Sequence, residues 1–351
     1  MRRTYLHLED GDRLEGESFG YGGQARGEVV FSTAMVGYPQ SLTDPSYHGQ
    51  ILVFTYPLIG NYGVPIPKRY TSDIMENFES TRIWVRGVVV SHSVDTPSHY
   101  SSSITFSRWL AAQNVPGILG IDTRKLTLKL RQFGTLRGVI SPRTRAHFTT
   151  QTDHLVGEAS TSRTMSYRPK RSIGKHGVLI DCGVKHGIIR ALLFRGHTVT
   201  RIPWNADPLS IKQVDGVVCS NGPGDPKACG VTIKNIRRVI EAGIPFLGIC
   251  LGHQLLALAL GGDTYKLPYG HRGINQPCGD TRNQKAYVTS QNHGYAVKGK
   301  TIASGLSEWF VNLNDGTNEG LIDEKRHIYT KQFHPEGSPG PNECAWVFGL
   351  I

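Results

Sequence analysis

The stretch Pro245-Phe-Leu-Gly-Ile-Cys-Leu-Gly-His-Gln-Leu-Leu256 constrains this chain more than any other. Ile244 to Ile249 is a short apolar run of β-formers, and Leu251 to Leu260 reads as a helix. Cys250 stands at the junction, inside the Gly248-Ile-Cys-Leu-Gly252 spacing of a nucleophile elbow, with cysteine where hydrolases carry serine. A strand turning directly into a helix crowds the backbone, so residues lacking a Cβ are needed beside the nucleophile. Such a turn is expected to expose the sulfur at the strand tip, near a helix N-terminus that favours the thiolate. The alternative is a buried free cysteine, a common core residue.

The surrounding chain reads in two parts. Residues 1–150 are mostly short strands and turns, with strand candidates at Thr4–Leu8, Val29–Phe31, Ile51–Thr55 and Val85–Ser91. A long loop spans Gly37–Gln50, and two helices are expected, one capped by Ser103 and one by Asp122 or Thr123 and stopping at Gly134. Residues 151–174 are polar and basic and read as a connector. From 175 to 351 strands and helices alternate: His176–Asp181, a helix with Ile188, Ile189, Leu192 and Leu193 on one face, Thr198–Ile202, Val214–Ser220, and a helix lined by Ile233, Ile236 and Ile240. This rhythm predicts an α/β fold with a doubly wound, mostly parallel sheet and ligands at the carboxyl ends of its strands. Asn221-Gly-Pro-Gly-Asp225 and Cys250 both fall at such ends. Asn342 is placed to cap a short final helix carrying Trp346, Val347 and Leu350.

A thiolate nucleophile needs a base and a group to orient it. Phe333-His-Pro-Glu336 follows the strand-like His327–Gln332, so Glu336 can hold the His334 tautomer while the other ring nitrogen reaches the sulfur. The alternative is a strand-end histidine beside a solvated glutamate. An oxyanion needs backbone N–H donors; Leu251 offers one, and the glycine loop at 221–225 a second unless it is a plain strand-to-helix turn.

Bulk properties exclude other classes. No apolar run approaches a membrane span, and no apolar segment follows Arg2-Arg3 as a signal peptide requires. The six cysteines lack metal or staple spacing, and Cys182 and Cys219 end apolar runs as core residues do, so a reduced, cytoplasmic protein without a metal site is expected. The formal charge of +11 is spread along the chain without a nucleic-acid-binding motif.

Together, Gly-Ile-Cys250-Leu-Gly-His-Gln254, Asn-Gly-Pro-Gly-Asp225 and His334-Pro-Glu336 resemble, in order, the motifs of the triad-type (class I) glutamine amidotransferases. Six further segments are similar to the carbamoyl-phosphate synthase small-chain family and span both parts: 37–47, 55–63, 121–125, Gly270-His-Arg-Gly273, Gln291-Asn-His-Gly294 and Ser338-Pro-Gly-Pro341. The resemblance implies a flavodoxin-like amidotransferase domain at 175–351 behind a smaller α/β domain at 1–150 that contacts the partner. It implies Cys250 as nucleophile forming a γ-glutamyl thioester, His334 as base and acid, and Glu336 as its orienter. It further implies that L-glutamine is held by Ser46, Gly222, Gly224, Leu251, Gln254, Asn292, Gly294 and Tyr295. No cofactor or metal is implied in this chain; ATP and magnesium belong to a large-chain partner, with which it forms a heterodimer or a tetramer of heterodimers. Tyr295 stands where phenylalanine is common in the family, and Gly187 where asparagine is expected. An amidotransferase for an anthranilate, guanylate or cytidylate synthase would lack the first domain.

Overall fold

Strands buried on both faces need helices on both sides, and residues after 175 supply them. In the computed structural model, which describes residues 2–148, 154–302 and 305–351, five strands run parallel in the order Thr198–Pro203, His176–Asp181, Gly216–Cys219, Phe246–Ile249 and Ile328–Lys331. Helix His186–Phe194 buries Ile188, Ile189, Leu192 and Leu193, and helix Gly230–Glu241 buries Ile236, Val239 and Ile240, the one-face spacing of an amphipathic helix. The strand order reverses between His176–Asp181 and Gly216–Cys219, the switch point at which such sheets bind ligands.

The sheet departs from the expected parallel character towards its edges. Met165–Tyr167 pairs antiparallel on one side; on the other, Asn318–Asp323, Ser307–Asn312, Thr264–Asp280 and Ala286–Val297 follow in antiparallel order to make ten strands. The long hairpin 264–297 is hard to read from sequence because Pro268, Gly270, Gly273 and Pro277 interrupt its alternation, and its register shifts twice. Part of the expected connector 151–174 also joins the fold: helix Leu155–Ala159 and edge strand Met165–Tyr167 bury Val156, Ala159 and Tyr167. Three apolar residues in a polar stretch leave no period to detect.

The chain divides into two compact units, Met1–Asp153 and His154–Ile351, and the expected boundary near 150 lies outside the described residues. The first unit is a closed barrel of seven strands, Arg3–Leu8, Arg13–Gly20, Pro116–Leu119, Gly87–Val89, Gln50–Phe54, Ala25–Ser32 and Leu136–Ser141 in order around it. Helix Thr123–Phe133 is capped by Asp122, whose carboxylate accepts the Lys125 N–H at 2.8 Å. The preceding helix, Phe106–Ala112, is capped by Thr105 rather than Ser103, because Ser103 and Ile104 are held extended by N–H bonds to the Val64 carbonyl. The Gly37–Gln50 loop contains a short helix, Tyr38–Thr43, and a 3₁₀ turn, Pro45–Tyr47. Tyr38 stacks on Tyr62 with centroids 4.3 Å apart, and the Tyr62 hydroxyl accepts the Gly37 and Tyr38 N–H groups, so the 37–47 and 55–63 segments pack on each other.

At the C-terminal end, a 3₁₀ helix, Ala345–Gly349, buries Val347 and Phe348. Asn342 gives it only a backbone carbonyl, not a side-chain cap. Among the described residues no helix is long and apolar enough to cross a membrane.

Lys331 is a fully buried amine in the core. Its Nζ lies 3.0 Å from the Trp309 ring centroid and 3.5 Å from that of Phe310, and it has no hydrogen-bond partner. Ring faces attract a cation by ~2 kcal/mol. Burial costs more, and it pushes the amine well below the ordinary lysine range. As pH falls from that range towards neutral, the unfolded chain gains a proton that the native state resists, so the penalty grows. Lys331→Met is therefore expected to raise unfolding free energy at pH 7 by on the order of 1–4 kcal/mol, and by less at pH 10, in denaturant titrations at the two pH values.

Candidate active site

Cys250 ends the strand Phe246–Ile249 and precedes helix Leu251–Ala259, with φ 53° and ψ −101°, a conformation that L-residues rarely adopt. Its surroundings enforce the turn. A Cβ on Gly248 would strike the Gly252 backbone, and one on Gly252 would strike the Cys219 carbonyl. The Cys250 N–H donates to the Lys331 carbonyl at 2.7 Å and the Gly252 N–H to that of Ser220 at 3.0 Å, which ties the elbow to both neighbouring strands. The helix behind is buried almost throughout. Its His253 donates to or accepts from Thr330 Oγ1 at 2.8 Å, and burial keeps the ring neutral, with a pKa near 3.

The sulfur is not exposed as expected: Cys250 is 2% accessible. The Asn292 carbonyl lies 3.7 Å from Sγ, and the Gln332 amide donates to it at 3.6 Å. Strand Ala286–Val297 brings Asn292 there by running beside the His334 segment, where the His334 N–H donates to the Ser290 carbonyl at 2.8 Å.

His334 and Glu336 come from the end of strand Ile328–Lys331, next to the elbow strand. His334 Nδ1–H donates to Glu336 Oε1 at 2.7 Å. The carboxylate can only accept, so this bond fixes the tautomer and leaves Nε2, which has no hydrogen-bond partner, for the thiol. Burial opposes a charged ring, but Glu336 and the sulfur of Cys250 outweigh both it and Lys185, and hold His334 up at about 10. Burial likewise opposes the Glu336 carboxylate, but Lys185 and His334 hold it down at about 2.

Lys185 was not foreseen from sequence. It precedes helix His186–Phe194 and is almost wholly buried, with Nζ 3.0 Å from Glu336 Oε1 and 2.7 Å from the Gly337 carbonyl. Its N–H donates to Asn221 Oδ1 at 3.0 Å, which connects the glycine loop to the carboxylate. The available signal was a lysine at a strand's carboxyl end within the otherwise uncharged Cys182-Gly-Val-Lys-His-Gly187. Gln332 was also missed; it lies just past the strand, two residues before His334, and reaches the sulfur only once the elbow strand is paired beside it.

The remaining candidates divide. The Gln254 amide donates to the Tyr295 carbonyl at 2.8 Å and to Gln332 Oε1 at 3.0 Å, so that amide group braces the site from within rather than facing open space. Gly222 abuts the Cys182 carbonyl and the Leu251 side chain, leaving no room for a Cβ, and Gly224 has φ +89°. Leu251 opens its helix, so its N–H belongs to the first-turn donors without an intrahelical acceptor. Asn292 is buried, and Gly294 and Tyr295 are half-buried on the same strand. Ser46 lies in the first unit, in the 3₁₀ turn Pro45–Tyr47.

The ion pair sets a titration that can be checked. The His334 pKa stands above the ordinary imidazole value, so its proton is kept through neutrality and lost only as pH rises through about 10. Glu336→Gln removes the negative charge, and the His334 midpoint in imidazole ¹⁵N NMR is expected to fall by a unit or more. An unchanged midpoint would mean that Glu336 does not support the ring.

Two family models match the chain: "Carbamoyl-phosphate synthase small chain, CPSase domain" over residues 6–140 and "Glutamine amidotransferase class-I" over residues 178–351. A carbamoyl phosphate synthase small chain from Sulfolobus acidocaldarius is 46% identical, the match covering 98% of this chain and 94% of that one. Its counterpart from Pyrococcus furiosus is 45% identical over 99% of this chain and 96% of that one. An arginine-specific carbamoyl phosphate synthase small chain from Chaetomium globosum is 44% identical over 98% and 76%. On this whole-length likeness, the chain belongs to the carbamoyl phosphate synthase small-chain family, with a class-I glutamine amidotransferase domain as its second unit.

Proposed function

We propose that this chain is the glutamine-hydrolysing subunit of carbamoyl phosphate synthase, with Cys250 as nucleophile, His334 as base and acid, and Glu336 as orienter. The observation that carries the assignment is the buried His334–Glu336 bond of 2.7 Å beside a strained elbow cysteine. The sulfur attacks the γ-carboxamide carbon of L-glutamine, and His334 delivers the proton that lets ammonia leave. A water activated by the same ring then hydrolyses the thioester. The Leu251 N–H and a donor from the Gly222–Gly224 loop hold the oxyanion, each worth ~2.7–4 kcal/mol. Asn292, Gly294, Tyr295 and Gln254 form one wall of the glutamine site.

Ammonia released into neutral water is mostly protonated and no longer nucleophilic. We therefore infer that it passes by an enclosed route to a large chain, which supplies ATP, magnesium and bicarbonate chemistry, in a heterodimer or a tetramer of heterodimers. All six cysteines are free, which fits a reducing, cytoplasmic setting.

The test is glutamine hydrolysis by the purified chain, alone and with a carbamoyl phosphate synthase large chain, bicarbonate and MgATP. A low rate alone that rises in the full mixture is expected. In Cys250→Ser, glutamine use should disappear while the complex still makes carbamoyl phosphate from added ammonia. Hydrolysis indifferent to the large chain would overturn the partner assignment, and loss of both activities would make Cys250 structural.

A further inference from the structure

His271 and His293, from the two sequence segments Gly270–Gly273 and Gln291–Gly294, have no part in the chemistry above. They meet across the hairpin 264–297, and Glu319 reaches them from strand Asn318–Asp323. His271 Nδ1 lies 3.5 Å and His293 Nε2 3.7 Å from Glu319 Oε1, and one ligand atom from each residue falls within 4.8 Å of the others. All three residues are buried.

The partners around this cluster leave one buried carboxylate oxygen unsatisfied. His293 Nδ1 sits 2.8 Å from the Tyr295 carbonyl, and its Nε2 lies 3.2 Å from Gln291 Oε1. The Gln291 amide nitrogen is occupied with Cys278 Sγ and Thr289 Oγ1, so its oxygen is what faces the ring. Both ring nitrogens of His293 thus face acceptors. In the tautomer that donates Nδ1–H to the Tyr295 carbonyl, the Nε2 lone pair is directed at Gln291 Oε1 and Glu319 Oε1. Glu319 Oε1 accepts from Thr317 Oγ1 at 3.4 Å, while Oε2 is fully buried and has no hydrogen-bond partner. His271 Nε2 bonds Asp315 Oδ2 at 2.9 Å, which turns Nδ1 inward, towards Glu319 Oε1 at 3.5 Å and the Asn312 amide at 3.5 Å.

We propose that His271 Nδ1, His293 Nε2 and a Glu319 carboxylate oxygen form a binding site for a divalent transition ion of the zinc class. Two imidazoles and one carboxylate are a common zinc donor set. Bonds of ~2.0–2.2 Å in tetrahedral geometry put ligands ~3.3–3.6 Å apart, close to the 3.5 and 3.7 Å from the two imidazoles to Glu319 Oε1, and the set as a whole, within 4.8 Å, must draw together on binding. The outer partners are of the expected kind, a carboxylate on one histidine and a backbone carbonyl on the other. Gln291 Oε1 or a water completes the fourth position. Asp315, which is partly exposed, marks the side open to solvent. The ion clamps three strands beneath Asn292 and Gly294, and its role is to hold that wall of the substrate site in register. A metal here departs from the metal-free expectation drawn from sequence.

The test uses the full chain, purified without metal-affinity steps, stripped with chelator and titrated with Co²⁺ and then Zn²⁺. One equivalent of Co²⁺ should give visible d–d bands of tetrahedral intensity without thiolate charge transfer, and Zn²⁺ should displace it and raise Tm. Glu319→Gln should abolish the bands with far-UV circular dichroism preserved, and Asp315→Asn should weaken binding by ~10–100-fold. Absence of bands and of a Tm rise in folded wild-type protein would overturn the site and leave an ion-paired histidine cluster. Bands unaffected by either substitution would place the metal elsewhere and overturn it equally. If Glu319→Gln does not fold, Asp315→Asn decides between these outcomes.

Discussion

The working end of the second unit depends on one buried carboxylate shared by two cations. Glu336 is almost inaccessible, yet Lys185 Nζ stands 3.0 Å and His334 Nδ1 2.7 Å from the same oxygen. Any one of these charges alone would be expensive in the interior, and removing a single partner from such a group typically costs about 3–5 kcal/mol. The cluster therefore fastens three places together: the loop after His176–Asp181, the end of Ile328–Lys331, and, through Asn221, the glycine loop after Gly216–Cys219. With His334 protonated, the three groups sum to one positive charge, which a thiolate on Cys250 would neutralise. In the proposed mechanism, charge balance and nucleophile activation are thus the same constraint.

The elbow imposes the complementary constraint. A positive-φ cysteine costs on the order of 1–3 kcal/mol, and it persists because its neighbours leave the backbone no alternative. Gly248 and Gly252 accept the close approach of other backbone atoms, and N–H bonds to Lys331 and Ser220 lock the turn to adjacent strands. The parallel sheet brings these parts together, since all lie at the carboxyl ends of neighbouring strands. The antiparallel extension contributes differently, because strand Ala286–Val297 carries Asn292 and Tyr295 to the sulfur and to Gln254.

Much of this was legible in the sequence because the information was local. The elbow, the Asn221–Asp225 loop and the His334–Glu336 pair each announce themselves within five residues or so, and the helix faces of 188–193 and 230–241 follow from simple periodicity. Lys185 and Gln332 were illegible because their roles exist only after distant strands align. The exposed sulfur was a wrong expectation for the same reason: the elbow alone would present it to solvent, and Asn292, some forty residues on, closes over it. The barrel of the first unit was missed as a closed form, since short strands fix their own existence but not the pairing of Arg3–Leu8 with Leu136–Ser141. The hairpin 264–297 hid behind its prolines and glycines.

All of the proposed chemistry turns on Cys250 carrying the glutamyl group during turnover. It is tested by acid quenching of the chain, mixed with a large chain, MgATP, bicarbonate and isotopically labelled glutamine, followed by peptide mass spectrometry. A labelled γ-glutamyl thioester is expected on the peptide containing Cys250, and none in Cys250→Ser. A label on another residue, or no covalent label in protein that is turning over glutamine at a rate slow enough to trap, would contradict it.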